Sequence, residues 1–105
     1  ITGNQVNHTS GAGFPVAGIE IDAGSGNTGS MCANITGNTV TNSSGFLVGG
    51  IYVTSDSGHT FNLVGTPVGS STGPAIASVL NGTNTLSPPA VGGNNGTYNI
   101  VAACP

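Results

Sequence analysis

The 105-residue sequence predicts an all-β fold, a parallel β-helix (β-solenoid) of about three to four coils, in a single unit over residues 1–105. Three observations lead there. Ile1-Thr2-Gly3-Asn4-Gln5-Val6 returns as Ile35-Thr36-Gly37-Asn38-Thr39-Val40, changed only at Gln5/Thr39. Gly18-Ile19-Glu20-Ile21 returns as Gly50-Ile51-Tyr52-Val53. Short β-branched runs alternate with Gly- and Asn-rich corners throughout. A spacing of roughly 32 to 34 residues, with apolar positions kept and polar ones drifting, marks stacked units. Approximate repeats are 1–34, 35–72 and 73–105. A conventional antiparallel sandwich would also show short strands and polar turns, but the near-identical corners favour the solenoid.

In the first unit, Ile1 and Val6 are five apart, so an unbroken strand would place them on opposite faces. A turn at Gly3-Asn4 restores them to one face, because both residues accept left-handed backbone angles. The same corner lies at Gly37-Asn38, and asparagines at equivalent corners are placed to hydrogen-bond one coil away. Val16 to Asp22 alternates, with Ile19 and Ile21 inward and Glu20 and Asp22 outward. A loop through Gly24, Gly26 and Gly29 leads to Met31-Cys32-Ala33. The second unit offers strands at Ile35–Val40, Gly50–Val53 and Thr60–Leu63, with Phe46 and Leu47 between the first two. The third is degenerate: Ala75–Leu80, Thr85–Leu86 and Tyr98–Ala102 read as strands. A short helix over Ala75–Leu80 competes, since Gly73-Pro74 suits a helix start.

Composition narrows the functions. The chain has no Lys or Arg, three acids (Glu20, Asp22, Asp56) and two histidines; charged residues are 3%, against roughly 25% in ordinary soluble domains. Without cations to neutralise phosphate, nucleic acid is excluded as a partner, and anionic membrane surfaces are disfavoured. No run reaches the roughly 18–20 apolar residues of a membrane span, so no membrane insertion is expected. The 19 glycines do not indicate disorder, because Ile, Val and Thr recur in register. Two cysteines fit an oxidising, extracellular or cell-surface setting. There is no initiating Met or signal peptide, and Ile1 falls inside a repeat, which suggests a mature product or a piece of a longer chain.

The segments CANITGNTV, GGIYV and HTFNLVG resemble the right-handed parallel β-helix repeats of large secreted bacterial surface and adhesin-type proteins. The matching residues are Cys32, Asn34, Ile35, Asn38, Val40, Gly50, Ile51, Phe61, Asn62 and Leu63. The likeness covers residues 30–65 well, 1–22 less well and the final third poorly. Those repeats commonly carry Arg in the Gly-Ile strand, where this chain has Tyr52 and Thr54. The resemblance implies the fold and an extracellular setting, and it designates no active site.

The tail and head of the chain fit one another: Cys104-Pro105 followed by Ile1-Thr2-Gly3-Asn4 parallels Cys32-Ala33-Asn34-Ile35-Thr36-Gly37-Asn38. No polar capping repeat is visible, which favours axial stacking. Ile1, Gly3, Asn4, Ile35, Gly37, Asn38 and Pro105 are therefore the candidate assembly and corner residues. Cys32 and Cys104 are 72 positions apart, or roughly two coils. Two steps of about 4.8 Å exceed the usual Cα limit of about 7 Å for a disulfide. The expectation is an intermolecular or inter-repeat disulfide, with an intrachain bridge as the alternative.

Other constellations are weaker. Glu20 and Asp22 share a strand face, about 7 Å apart; acid–base work or Ca²⁺ binding is conceivable, but a solvated face is the simpler reading. Asp56, His59 and the neighbouring serines form a turn sequence, and a catalytic triad is recognised by geometry, never by adjacency. His8 and His59 have no metal-binding spacing. Gly24-x-Gly26-x-x-Gly29 opens no helix, so it is not a dinucleotide fingerprint. No catalytic, cofactor or metal residues are assigned. Asn7, Asn34, Asn42, Asn81 and Asn95 head N-glycosylation tripeptides.

The expectation is thus a non-enzymatic structural subunit or repeat of an extracellular filament or surface adhesin, assembling head-to-tail with copies of itself and needing no cofactor. The alternative is an extracellular glycan-binding module that uses outward Asn, Thr and Tyr52, with surface glycans as partners. Ice binding ranks third, since no regular Thr-x-Thr ladder is present.

Overall fold

The corner repeated at the start of the first two units sets the course of the backbone. Gly3 and Gly37 have φ of 65° and 67°, the left-handed region that glycine enters without a Cβ penalty. Thr2 bridges Thr36 in parallel ahead of the corner, and Ile35 and Val40, on either side of it, are both buried at 1% exposure. The computed structural model describes residues 1–8, 17–24, 28–42, 48–93 and 95–105. The side chains of His8 and Asn42, together with Val16, Gly26, Ser43, Ser44, Phe46 and Leu47, lie outside the described residues.

In chain order the elements are β1 (Gln5–His8), β2 (Ala17–Asp22), β3 (Gly29–Ala33), β4 (Thr39–Asn42), β5 (Gly49–Thr54), β6 (His59–Val64) and β7 (Gly69–Ser71). There follow α1 (Gly73–Thr83), β8 (Thr85–Leu86), β9 (Val91–Gly92) and β10 (Thr97–Val101). They form three sheets, ordered β1-β4-β8, β2-β5-β9 and β3-β6-β10-β7. All pairings are parallel except β10 with β7. Registers stack like on like: Val6 on Val40 on Leu86, Ile19 on Ile51, Ile21 on Val53, Met31 on Phe61 on Tyr98, and Ala33 on Leu63 on Ile100. The middle members Ile51, Val53, Phe61 and Leu63 are at most 1% exposed, and each such side chain contributes about 1.5–3 kcal/mol. Phe61 and Tyr98 meet edge to face, with centroids 6.4 Å apart.

The chain is not an all-β solenoid of three to four coils. It is a small mixed α/β globule of 36 × 28 × 19 Å, with three sheets, an 11-residue helix and an antiparallel strand. The reason lies in residues 69–84. Thr72 is an extended N-cap whose Oγ1 accepts from the Ala75 amide (3.2 Å), and Pro74 occupies the first turn, where its missing N–H costs nothing. Gly73, Ile76, Ala77 and Leu80 then fall on one buried face, the i, i+3, i+4, i+7 stripe of an amphipathic helix. A Cβ at Gly73 would overlap the Gly93 carbonyl, so the helix start lies directly against the chain beside β9. Together α1 and β7 cover one end of the sheets. The expectation that no cap is present is corrected with the fold class.

The cysteine expectation is also corrected. Cys32 and Cys104 form an intrachain disulfide with Cα atoms 5.6 Å apart. Counting by coils assumed that Cys104 lies in register on a strand. Instead β10 ends at Val101, and the next three residues fold back to the edge strand β3. Two strand spacings, about 10 Å, are within reach of three extended residues. Cys32 lies in register with Asn62 and Asn99, alternating with Met31 and the buried Phe61 and Tyr98. The tail is therefore a strap on the outer side of this sheet.

Candidate functional site

The most ordered polar feature is built from corner asparagines. Just past the left-handed glycine, Asn4 and Asn38 stack one above the other, and Asn84 takes the same place at the end of α1. The Asn4 amide and Nδ2 both donate to Asn38 Oδ1, at 3.0 and 2.9 Å. The Asn38 amide and Nδ2 both donate to Asn84 Oδ1, at 2.9 and 2.8 Å. Asn38 Nδ2 also reaches the carbonyl oxygens of Ile1 and Thr36, at 3.1 and 3.3 Å. These carbonyl partners fix the orientation of the amide, since only the NH₂ can donate. Asn38 is fully buried, and its satisfied hydrogen bonds offset the desolvation of a polar group in the core.

The ladder has a direction: each asparagine donates to the acceptor of the next. At Asn84 it runs into the helix. There the Asn84 amide and Nδ2 donate to Leu80 O at 3.0 and 2.9 Å, and Nδ2 reaches Ile35 O at 3.1 Å. The final rung is thus also the helix C-cap. At Asn4 the ladder stops in the open: among the described residues, Asn4 Oδ1 accepts no hydrogen bond, and Asn4 is exposed. Strands β1, β2 and β3 are the outer strands of their sheets at this end. Ile1 is 49% and Met31 36% exposed there. Exposed edges are commonly blunted by Lys, Pro or an inward charge; these three strands carry no Lys or Pro, and their only acids, Glu20 and Asp22, are exposed.

The remaining candidates separate. Ile1, Gly3, Asn4, Ile35, Gly37 and Asn38 gather at the ladder, while Pro105 is exposed on the strap beside Cys104, which is bonded to Cys32. Glu20 and Asp22 are exposed on β2, opposite Tyr52 and Thr54 of β5. Asp56 and His59 form a turn closed by His59 N donating to Asp56 O at 2.9 Å, with Gly58 at φ 86°. Among the described residues no side-chain bond joins them. His59 is 8% exposed, and among the described residues its Nδ1 has no partner; Gly24, Asp22, Ser30 and Met31 share with it a cleft of about 280 Å³. Among the described residues no three His, Cys, Asp or Glu side chains group to hold a metal ion. Asn7, Asn34, Asn81 and Asn95 are all exposed; Asn7 Oδ1 accepts from Thr41 Oγ1 (3.0 Å) and Asn81 Oδ1 from the Ala90 amide (2.8 Å).

A second hydrogen-bonded asparagine row escaped sequence reading. Asn99 Nδ2 donates to Asn62 Oδ1 at 3.1 Å, and Asn62 Nδ2 to Met31 O at 3.2 Å. Its signal was available: Thr60-Phe61-Asn62-Leu63-Val64 returns as Thr97-Tyr98-Asn99-Ile100-Val101. No family model, curated protein or solved structure matches the chain. The likeness to secreted adhesin-type repeats rests on the quoted residues alone.

Proposed function

We propose that the chain is a structural unit of an extracellular filament or surface adhesin, acting as the closed end of a stack. Its open edges, β1, β2 and β3, receive a preceding unit of the same repeat type that lacks a helix cover. The observation that carries this reading is the polarity of the asparagine ladder. Among the described residues Asn4 Oδ1 accepts no hydrogen bond, where Asn38 Oδ1 and Asn84 Oδ1 each accept a backbone amide and a side-chain Nδ2. A partner must therefore bring a corner asparagine one strand spacing away, about 4.8 Å. It would also cover the exposed Ile1 and Met31. Two open ends facing each other would set acceptor against acceptor. Joining copies head-to-tail requires α1 and β7 to move aside. The Cys32–Cys104 bridge is compatible with an oxidising extracellular setting.

Adding a strand to each sheet tests the reading. A second copy of residues 1–34, carrying Cys32→Ser, is fused ahead of Ile1 or, separately, after Pro105. The first chimera is expected to unfold in one cooperative transition at a higher midpoint than the original chain, with the added segment ordered by NMR. The second should leave the midpoint unchanged. A disordered leading segment with an unchanged midpoint would overturn the proposal.

A further inference from the structure

An asparagine followed by glycine is the pair most prone to lose its side-chain amide, because the glycine nitrogen attacks the asparagine Cγ unhindered by a side chain of its own. The sequence holds two such pairs, Asn81-Gly82 and Asn95-Gly96, and the fold treats them differently. Asn81-Gly82 lies inside α1, where backbone amides are committed to the helix ladder. The turn around it is pinned: Thr83 Oγ1 donates to Val79 O at 3.1 Å, and Asn84 Nδ2 to Leu80 O at 2.9 Å. The Asn81 side chain is itself held, its Oδ1 accepting from the Ala90 amide at 2.8 Å. Bringing the Gly82 nitrogen onto Asn81 Cγ therefore requires the last turn of the helix to open. Asn95-Gly96 lies in the irregular turn between β9 and β10, and both residues are exposed. Gly96 has a φ of 73°, and a Cβ there would overlap the carbonyl oxygens of Ser55 and Asp56. The turn thus demands glycine at this position, and the lack of shielding after Asn95 is built into the fold.

We infer that Asn95 is a site of spontaneous covalent modification, to which the fold directs the loss of ammonia while shielding Asn81, and that its products loosen the start of β10. The Gly96 nitrogen gives up its proton and bonds to Asn95 Cγ. The Cγ–Nδ2 bond breaks, and Nδ2 leaves as ammonia with that proton, closing a succinimide ring. Water then opens the ring. Cleavage of the new Cγ–N bond leaves aspartate; cleavage of the original peptide bond leaves isoaspartate, with the main chain routed through Cγ. No oxidant or reductant is consumed. Both products add one negative charge to a formal −3. The new carboxylate shares a small cavity with Asp56, and without Lys or Arg the chain has no side-chain cation permanently charged at neutral pH to offset the repulsion. Isoaspartate also lengthens the main chain by one carbon directly ahead of Gly96, which already lies hard against Ser55 and Asp56. Either product therefore strains the seat of Gly96 and the entry to β10. This inference is independent of edge joining.

Timed incubation of the intact, unglycosylated chain at mildly alkaline pH, followed by peptide mass spectrometry with isoaspartate detection, tests it. The chain offers trypsin no site, so chymotrypsin is used; cleavage after Leu80, Leu86 and Tyr98 separates Asn81 from Asn95. In the folded protein Asn95 should convert at least about tenfold faster than Asn81, a barrier difference of about 1.4 kcal/mol or more. In denaturant the two should convert at comparable rates, which separates the effect of the fold from that of the shared dipeptide. The aged protein should melt below the fresh protein. The Asn95→Ser variant, which has no amide to lose at this position, should keep its midpoint through the same incubation. Equal rates at the two asparagines in the folded chain, faster loss at Asn81, a rate ratio unaltered by denaturant, or an equal fall in midpoint for Asn95→Ser would each overturn the assignment.

Discussion

The two ends of the asparagine ladder begin from the same side chain and finish differently. At Asn84 the rung is also a helix cap, and Ile76 and Leu80, both fully buried, close the core beneath it. At Asn4 the rung is exposed, and the strands beside it end their sheets. Termination here comes from an inserted amphipathic helix and one antiparallel strand, not from charges placed along an edge. The spacing records the insertion: Asn4 and Asn38 are 34 residues apart, but Asn38 and Asn84 are 46 apart, and the excess is about the length of α1. In a chain almost without charge, covering the edge is one way to stop strand addition that needs none.

The largest expected effect comes from the strap that links the ends. Opening Cys32–Cys104 releases a 72-residue constraint, which on the chain-entropy account stabilises by about 4 kcal/mol. Reduction, or Cys32→Ser with Cys104→Ser, should lower the denaturant midpoint accordingly and loosen β3 first. The ladder sharpens the comparison directly. Asn38→Ala strands a backbone amide, a side-chain amide and two carbonyls, and should cost about 3 kcal/mol; Asn4→Ala, at the open end, should cost about 1 kcal/mol or less. Equal losses in chemical denaturation would show that the ends do not differ in the way described.

The smallest effect concerns Tyr98. Burial pushes its phenol above the ordinary value of 10.0, with Tyr52 and Asp56 adding to the shift against the opposing Ser55 amide. The folded state therefore holds this proton more tightly than the unfolded chain. Its contribution is complete below the ordinary phenol value and is lost as pH rises above it. Thermal melts should show stability declining above about pH 10. Tyr98→Phe should lessen that decline and cost about 1–2 kcal/mol at neutral pH, because the buried Ser55 amide loses its acceptor.

Much of this arrangement was legible, because near-identical corners must do the same thing twice. Ile1-Thr2-Gly3-Asn4 and Ile35-Thr36-Gly37-Asn38 announced the left-handed glycine and the stacked asparagines. Alternation across Ile19-Glu20-Ile21-Asp22 announced which side faces water. The third unit was hidden by its insertion: Asn84-Thr85-Leu86 matches Asn38-Thr39-Val40, but only once residues 73–83 are removed as a helix. Thr72, Pro74 and the 73/76/77/80 stripe contained that helix. Short β-branched neighbours such as Ile76 and Val79 read equally well as strand, and tertiary burial decides such cases. The disulfide was not legible from strand counting, because Cys104 lies beyond the last strand.

Amide hydrogen exchange, followed residue by residue in the unmodified protein, tests the asymmetry of the ends most directly. Strands β3 and β10 are the first and last parallel strands of one sheet, and only β10 has a further neighbour, β7. The amides of β10 should exchange only through global unfolding. Those of β3 that point away from β6 should exchange orders of magnitude faster, close to unprotected chain. Equal protection of the two strands would contradict the account, because the end described as open would then be covered in solution.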